Sequence, residues 1–185
     1  MLLALAASLA AAAEVAGVKL ADTESLTPGS APLVLNGAGV RKRAFFQVYA
    51  IGLYLAEKKT AGADAIGAGG AKRVAIHMLR DVGADPFIEA LVDGMRENHG
   101  EADMKALEPR IKQLAAILAE LKEAKKGMRI TLDWNPAVGT QLTVEGKLAG
   151  KPISGEDFYR ALLRIWLGER PVQDDLKKAL LGEKP

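Results

Sequence analysis

One stretch limits what this chain can fold into more than any other. Residues Ala31 to Ala56 read APLVLNGAGVRKRAFFQVYAIGLYLA, a run rich in β-branched and aromatic side chains, which fit a pleated surface. Asn36-Gly37 and Gly39 mark bends or bulges within it. From Phe45 to Leu55 both alternating faces are largely apolar: Phe46, Val48, Ala50 and Tyr54 on one side, Phe45, Tyr49, Ile51 and Leu53 on the other, with Gln47 the polar exception. A strand apolar on both faces belongs in the interior of a sheet and must be covered on both sides. The rest of the chain has to supply the pairing strands and the cover.

It does so in sequence. Val15 to Leu20 reads as an edge strand, followed by a polar turn through Pro28-Gly29. Thr60 to Gly70 is Ala/Gly-rich, a short helix or loop, and Arg73 to Val82 reads as another strand. Asp85 and Pro86 are placed as N-cap and first helical residue of the next helix, whose buried face is Phe87, Ala90, Leu91 and Met95. The segment from Glu101 is helical, with Pro109 expected to break or kink it; beyond it Ile111, Leu114, Ala115, Leu118 and Leu121 form a stripe at helical spacing. Met128 to Trp134 and Gln141 to Leu148 read as a hairpin turning at Asn135-Pro136 and Gly139. Its wet face is Thr131, Asp133, Thr143 and Glu145. Ser154 is placed as cap of a helix with Asp157 at capping-box spacing; Phe158, Leu162, Ile165 and Trp166 form its buried side. Gly168 stops that helix, and Gln173 to Leu181 forms a short last one. Strands in a group, then helices, then a hairpin and helices imply an α+β fold with helices packed on one largely antiparallel sheet.

Composition narrows the function. At 185 residues, 49% of them hydrophobic and 26% charged, the chain fits one domain with a core sufficient to fold without a disulfide or metal. The net charge is only +2. The short basic runs Arg41-Lys42-Arg43 and Lys125-Lys126 read as solvated turns or helix ends, and no basic stripe with interleaved aromatics points to nucleic acid. Cysteine is absent, which removes thiol nucleophiles and Cys-based zinc sites. His77 and His99 have no metal-ligand spacing, and no serine sits in G-x-S-x-G. Gly37, Gly39 and Gly52 do not form a dinucleotide loop. No catalytic constellation, cofactor or metal is expected. Met1 to Ala13, MLLALAASLAAAA, matches the apolar core of an export signal with an A-x-A exit at Ala11 to Ala13, although it lacks a basic flank. It is too short to span a bilayer. A cytosolic Ala-rich helix is the other reading; the expected organisation is a signal at 1–13, a single domain at 14–185, and a periplasmic or secreted location.

Three stretches carry a resemblance. Leu33 to Ala56 looks like the first long hairpin of the chalcone isomerase fold. Asn98-His99-Gly100-Glu101 with its helix is similar to that family's central helical segment. The run from Ile153 through LLRIWLGERPVQDDLKKALLG resembles its C-terminal pair of helices. The resemblance, to the bacterial exported branch of the chalcone isomerase-like family, implies an open-faced β-sandwich: a large, mostly antiparallel sheet covered on one face by helices, with a ligand cleft between.

The family divides by chemistry. In the plant enzymes, which close a chalcone to a flavanone, an arginine corresponding to Arg41 stabilises developing negative charge. The threonine of the following strand falls at Tyr49 here and that of the C-terminal helix near Ile165, while the tyrosine and asparagine before the central helices have no match in Asp81 to Glu97. Losing even one preorganised donor of this kind costs about a hundredfold or more, so chalcone cyclisation is not expected. The fatty-acid-binding members match better, since they keep the arginine and carry tyrosine in a context like Val48-Tyr49-Ala50. The resemblance thus implies a non-catalytic binder of a fatty acid or similar small apolar acid, with Arg41 and Tyr49 at the carboxylate and Ile165 in the site. Two alternatives stay open: an isomerase or intramolecular lyase acting on a chalcone-like ketone through Arg41, and an envelope protein-interaction domain without a ligand. The plainer readings are a solvated Arg41 and a core Tyr49 with its hydroxyl hydrogen-bonded.

Overall fold

The strand that is apolar on both faces lies inside a sheet. In the computed structural model, which describes residues 13–183, the strands in chain order are β1 (Ala13–Val15), β2 (Val18–Leu20), β3 (Thr23–Glu24), β4 (Leu33–Arg43), β5 (Phe46–Leu55), β6 (Lys72–Met78), β7 (Val82–Gly83), β8 (Glu123–Ala124), β9 (Arg129–Asn135), β10 (Gly139–Val144) and β11 (Lys147–Ile153). The helices are α1 (Gly62–Gly67), α2 (Ala84–Arg96), α3 (Glu101–Ala119), α4 (Glu156–Leu167) and α5 (Asp174–Leu180). Residues 1–12 of the run read as an export signal lie outside the described residues, and Ala13 opens β1.

Seven strands form one sheet in the order β11-β10-β9-β6-β5-β4-β3, with every neighbouring pair antiparallel. The main core lies on one face of it. Tyr49, Ile51, Leu53, Val74, Ile76, Ile130 and Leu132 project there against Phe87, Leu91 and Met95 of α2, Leu114 and Leu118 of α3, and Phe158, Leu162 and Trp166 of α4. A second, smaller cluster on the opposite face holds Leu20, Leu33, Leu35, Tyr54 and Ala75, packed by Ala13, Val15 and Val18 of the β1–β2 hairpin. The single edge strand expected over Val15 to Leu20 is thus a tight hairpin, turned by the positive φ angles of Ala16 and Gly17.

The sheet buries part of the face expected to be wet. Thr131 and Asp133 are 1% and 4% exposed. Arg73 lies across Asp133 with two bonds of 2.7 and 2.6 Å, and Glu24 joins it to Arg129 at 2.7 and 2.6 Å. Charges are tolerated in such a place when each is paired and hydrogen-bonded. Gln141 to Leu148 is not one strand either: Glu145 and Gly146, both at positive φ, turn it into β10 and β11.

Helix ends differ from the expected caps. Gly83 is the N-cap of α2, leaving Asp85 in the first turn, where a carboxylate suits the positive end of the helix dipole. Gly155 rather than Ser154 caps α4, and Asp157 is drawn instead into a two-bond pair with Arg110 at 2.7 Å each. Pro109 neither breaks α3 nor ends it; it is exposed, so water can satisfy the carbonyl its missing N–H frees.

The β4–β5 hairpin is the longest in the sheet and has two special regions. At its start a bulge lies between Leu35 and Gly37. The Asn36 amide there is buried, donating to the carbonyls of Lys59 and Leu180 at 2.9 and 2.7 Å and accepting from the Lys59 N–H at 2.6 Å. Next to it α5 lies directly on bare backbone: a Cβ at Gly37 would sit 2.6 Å from the carbonyl of Leu180, and one at Gly39 would sit 2.7 Å from the Leu176 side chain. At its far end Ala44 and Phe45 form the turn, with Ala44 at positive φ. Phe45, expected on an interior face, is fully exposed, and Phe46 is 57% exposed. The reason is register. Pairing with β6 begins only at Tyr49–Met78, so the tip projects beyond its neighbour.

Gly37→Ala should therefore lower stability by about 1–3 kcal/mol, the range typical of overpacking, because backbone rather than a flexible side chain stands in the way. Gly67→Ala, with open space around the new methyl, should be neutral or stabilising by up to about 1 kcal/mol. Urea denaturation of the two variants checks both.

Candidate functional site

Arg41 and Tyr49 stand directly opposite each other in the β4–β5 ladder. Cross-strand partners share a face, and this face is the one that meets the helices, since Tyr49 belongs to the main core cluster. Tyr49 is 8% exposed. The indole Nε1–H of Trp166 on α4 donates to its phenol oxygen at 3.0 Å. A phenol can accept and donate at once, and among the described residues the Tyr49 proton has no acceptor. Burial pushes the Tyr49 pKa up, against the pull of the Trp166 bond and the Arg41 charge. The group therefore stays a neutral donor through the physiological range.

Arg41 is half-buried. Its Nη1 donates to Oε1 of Gln173 at 3.3 Å and to the carbonyl of Lys42, and no carboxylate pairs with it among the described residues. Gln173 is a bracket for this strand. Beyond its short pairing with β3, β4 has an open outer edge, and the Gln173 amide fills it by accepting from Lys42 N–H at 2.7 Å and donating to the Val40 carbonyl at 3.0 Å. An amide side chain thus supplies the bonds a neighbouring strand would give.

Ile165 is 2% exposed and packs on α2 at Gly94, where a Cβ would lie 2.8 Å from its Cγ2. Its neighbour Trp166 is the α4 residue that touches the phenol. Sequence reasoning left Trp166 among the core residues, although a buried indole needs an acceptor and the buried phenol of Tyr49 offered one. Gln173 carried no such signal, because its contact with Arg41 spans 132 positions.

The space between sheet and helices around the phenol is filled by side chains, with Met78, Met95, Leu162 and Trp166 each 1% exposed. Two clefts lie elsewhere. One of about 170 Å³ is lined by His99, Asp103, Leu107, Arg110, Asp157 and Arg164, and one of about 330 Å³ by Ala56, Glu57, Lys59, Ala68 and Gly69. The histidines are apart from Tyr49: His99 bonds the Met95 carbonyl through Nδ1 and Arg164 through Nε2, and His77 lies on the other face of the sheet, its pKa lowered by burial and by Arg129. Among the described residues no three His, Asp or Glu side chains gather as metal ligands, and no helix is long and apolar enough to cross a membrane.

Comparison with known proteins agrees with this architecture. The fold matches the crystal structure of a fatty-acid binding protein of Arabidopsis thaliana with a TM-score of 0.69 at 15% identity, over 89% of this chain and 92% of that one. No curated protein sequence matches significantly. Residues 12–182 match the family model described as chalcone isomerase-like, and the chain belongs to the chalcone isomerase-like family.

Proposed function

We propose that this protein holds, without transforming it, a fatty acid or similar apolar carboxylic acid, with the carboxylate between Arg41 and Tyr49. One observation carries the reading: a buried phenol whose own proton has no acceptor among the described residues stands in register directly opposite Arg41, whose charge acts on it. An oxyanion seated there accepts from both, and a charge-assisted bond of this kind is about twice as strong as a neutral one. The match to the solved fold of a fatty-acid binding protein supports the ligand class. Holding rather than turnover is favoured because the polar groups at the phenol are donors, while His99 is bonded elsewhere and His77 lies on the opposite face of the sheet. Export is favoured by the Leu/Ala run at Met1 to Ala13.

The tail needs apolar cover, worth roughly 0.8 kcal/mol per buried CH₂, and the apolar side of α4 with Ile165 and Trp166 offers it. Since that interface is closed by side chains, uptake requires an element to shift. The short α5 is the one we assign: Gln173, its N-cap, already holds Arg41.

Organic extraction of the purified protein followed by mass spectrometry should recover a long-chain acid. In titrations with such an acid, Arg41→Gln and Tyr49→Phe should each weaken binding about tenfold or more, the cost of one hydrogen bond to a charged group. Equal affinity in wild type and Arg41→Gln sinks the reading, as does turnover of a chalcone that is lost in the same variant. The indole of Trp166 is a built-in reporter, and its emission should change on binding in the wild type and not in Trp166→Phe.

The pH dependence has a definite sign. A guanidinium does not titrate in the accessible range, and the raised pKa of Tyr49 keeps its proton in place. Affinity should therefore be level from about pH 6 to 9 and fall only as the ligand's own carboxyl protonates, near about 4–5. A loss of affinity between pH 6 and 9 in fluorescence titrations contradicts a neutral phenol donor.

A further inference from the structure

The sheet gathers at one end what the sequence keeps apart. The tip of the β4–β5 hairpin carries Lys42, Arg43, Phe45 and Phe46, all exposed. Beside it runs the segment after β6, where the Leu79 N–H bonds the Val48 carbonyl at 2.9 Å and the Arg80 guanidinium lies 4.4 Å from the centre of the Phe46 ring. Against that segment lies the turn before β9: Gly127 N–H donates to the Met78 carbonyl at 2.8 Å, and Lys126 N–H to the Asp81 carboxylate at 2.7 Å. Lys125 and Lys126 are exposed on this turn.

Two physical features coincide here. Half of the four phenylalanines in the chain stand in water side by side at a projecting tip, where leaving them exposed forgoes the gain of burial. Around them stand Lys42, Arg43, Arg80, Lys125 and Lys126, with the Asp81 carboxylate bonded to the Lys126 N–H and with Asp174 and Asp175 following the Gln173 that bonds Lys42, so cations outnumber carboxylates although the whole chain carries only +2. The next turn along this edge adds Glu145 and Lys147, which cancel. Aromatic side chains at a tip ringed by lysine and arginine suit a bilayer interface with anionic headgroups: the rings enter the acyl boundary while the cations stay at the phosphates. A second copy of this chain would bring like charges together, which association disfavours.

We infer that the β4–β5 tip docks this protein on an anionic lipid surface, with Phe45 and Phe46 inserted and the surrounding cations held at the headgroups. The inference does not depend on what Arg41 and Tyr49 hold, and its test uses delipidated protein with no added acid, so the two can fail separately. Arg41 and Tyr49 lie on the same hairpin, a few residues from its tip.

The experiment is co-sedimentation with vesicles of phosphatidylglycerol and phosphatidylethanolamine, and with vesicles of phosphatidylcholine alone. Binding is expected to the first and at least tenfold weaker to the second, and to weaken as salt screens the charges. Phe45→Ser/Phe46→Ser should lower partitioning at least tenfold with an unchanged circular dichroism spectrum, and so should Lys42→Glu/Arg43→Glu. Phe45→Ser alone, at a fully exposed site, gives the same direction should the double variant not fold. No association with the anionic vesicles, equal partitioning by wild type and Phe45→Ser, or equal binding to phosphatidylcholine overturns the inference. So does a dimer in sedimentation velocity that the Phe45→Ser substitution dissolves, which assigns the tip to self-association.

Discussion

The contact on which the site depends is a helix lying against naked backbone. α5 can reach β4 only because positions 37 and 39 lack side chains, and the bulge beside them turns the Asn36 amide inward to bind the Leu180 carbonyl at the end of that helix and the chain at Lys59. With α5 set at that distance, Gln173 falls beside the unpaired edge of β4 and fixes the strand that presents Arg41. The guanidinium is thus oriented by a residue far away in sequence. Three requirements meet in one strand: close packing, a satisfied edge and a positioned charge.

On the other side of the same ladder the phenol is fixed by different means. β5 is central and Tyr49 cannot move without disturbing β6, while the indole of Trp166 holds the hydroxyl from above. The pair is asymmetric. The cation sits on a strand whose cover is a seven-residue helix, and the neutral donor sits in the interior of the sheet. Burial keeps that donor protonated, so the site offers one permanent charge and one neutral proton, a combination suited to a single negative charge and poorly suited to abstracting a proton.

Much of this architecture was legible because it is written in local patterns. Two-faced apolarity located β5 inside a sheet, helical spacing located α2 and α4, and the Asn36-Gly37 signal marked a real bulge. Errors came where a long-range partner outranks the local preference. Asp133 looks solvent-facing in its own strand and is buried by Arg73 and Glu24. Ser154 and Asp157 look like a cap, yet Asp157 is taken by Arg110. Phe45 fits the alternation of its strand but falls in the turn, because hairpin register, which alternation alone does not set, decides where the strand ends. At the site, the register pairing of Arg41 with Tyr49 lies close in sequence, whereas the contacts of Trp166 and Gln173 cross more than 110 positions and leave no periodic trace.

The charge network on the far face has a consequence for how the molecule assembles. Glu24 bonds to Arg129, 105 positions downstream, and Arg73 bonds to Asp133 from the middle of the chain. A polypeptide emerging from its N-terminus has already presented Glu24 long before its cationic partners exist, and closing so wide a loop carries an entropic cost that other contacts must offset first. The segment that carries Glu24 is thus the natural last arrival. It locks onto a sheet whose middle strands have already zipped together, and it acts as a clasp for the finished fold.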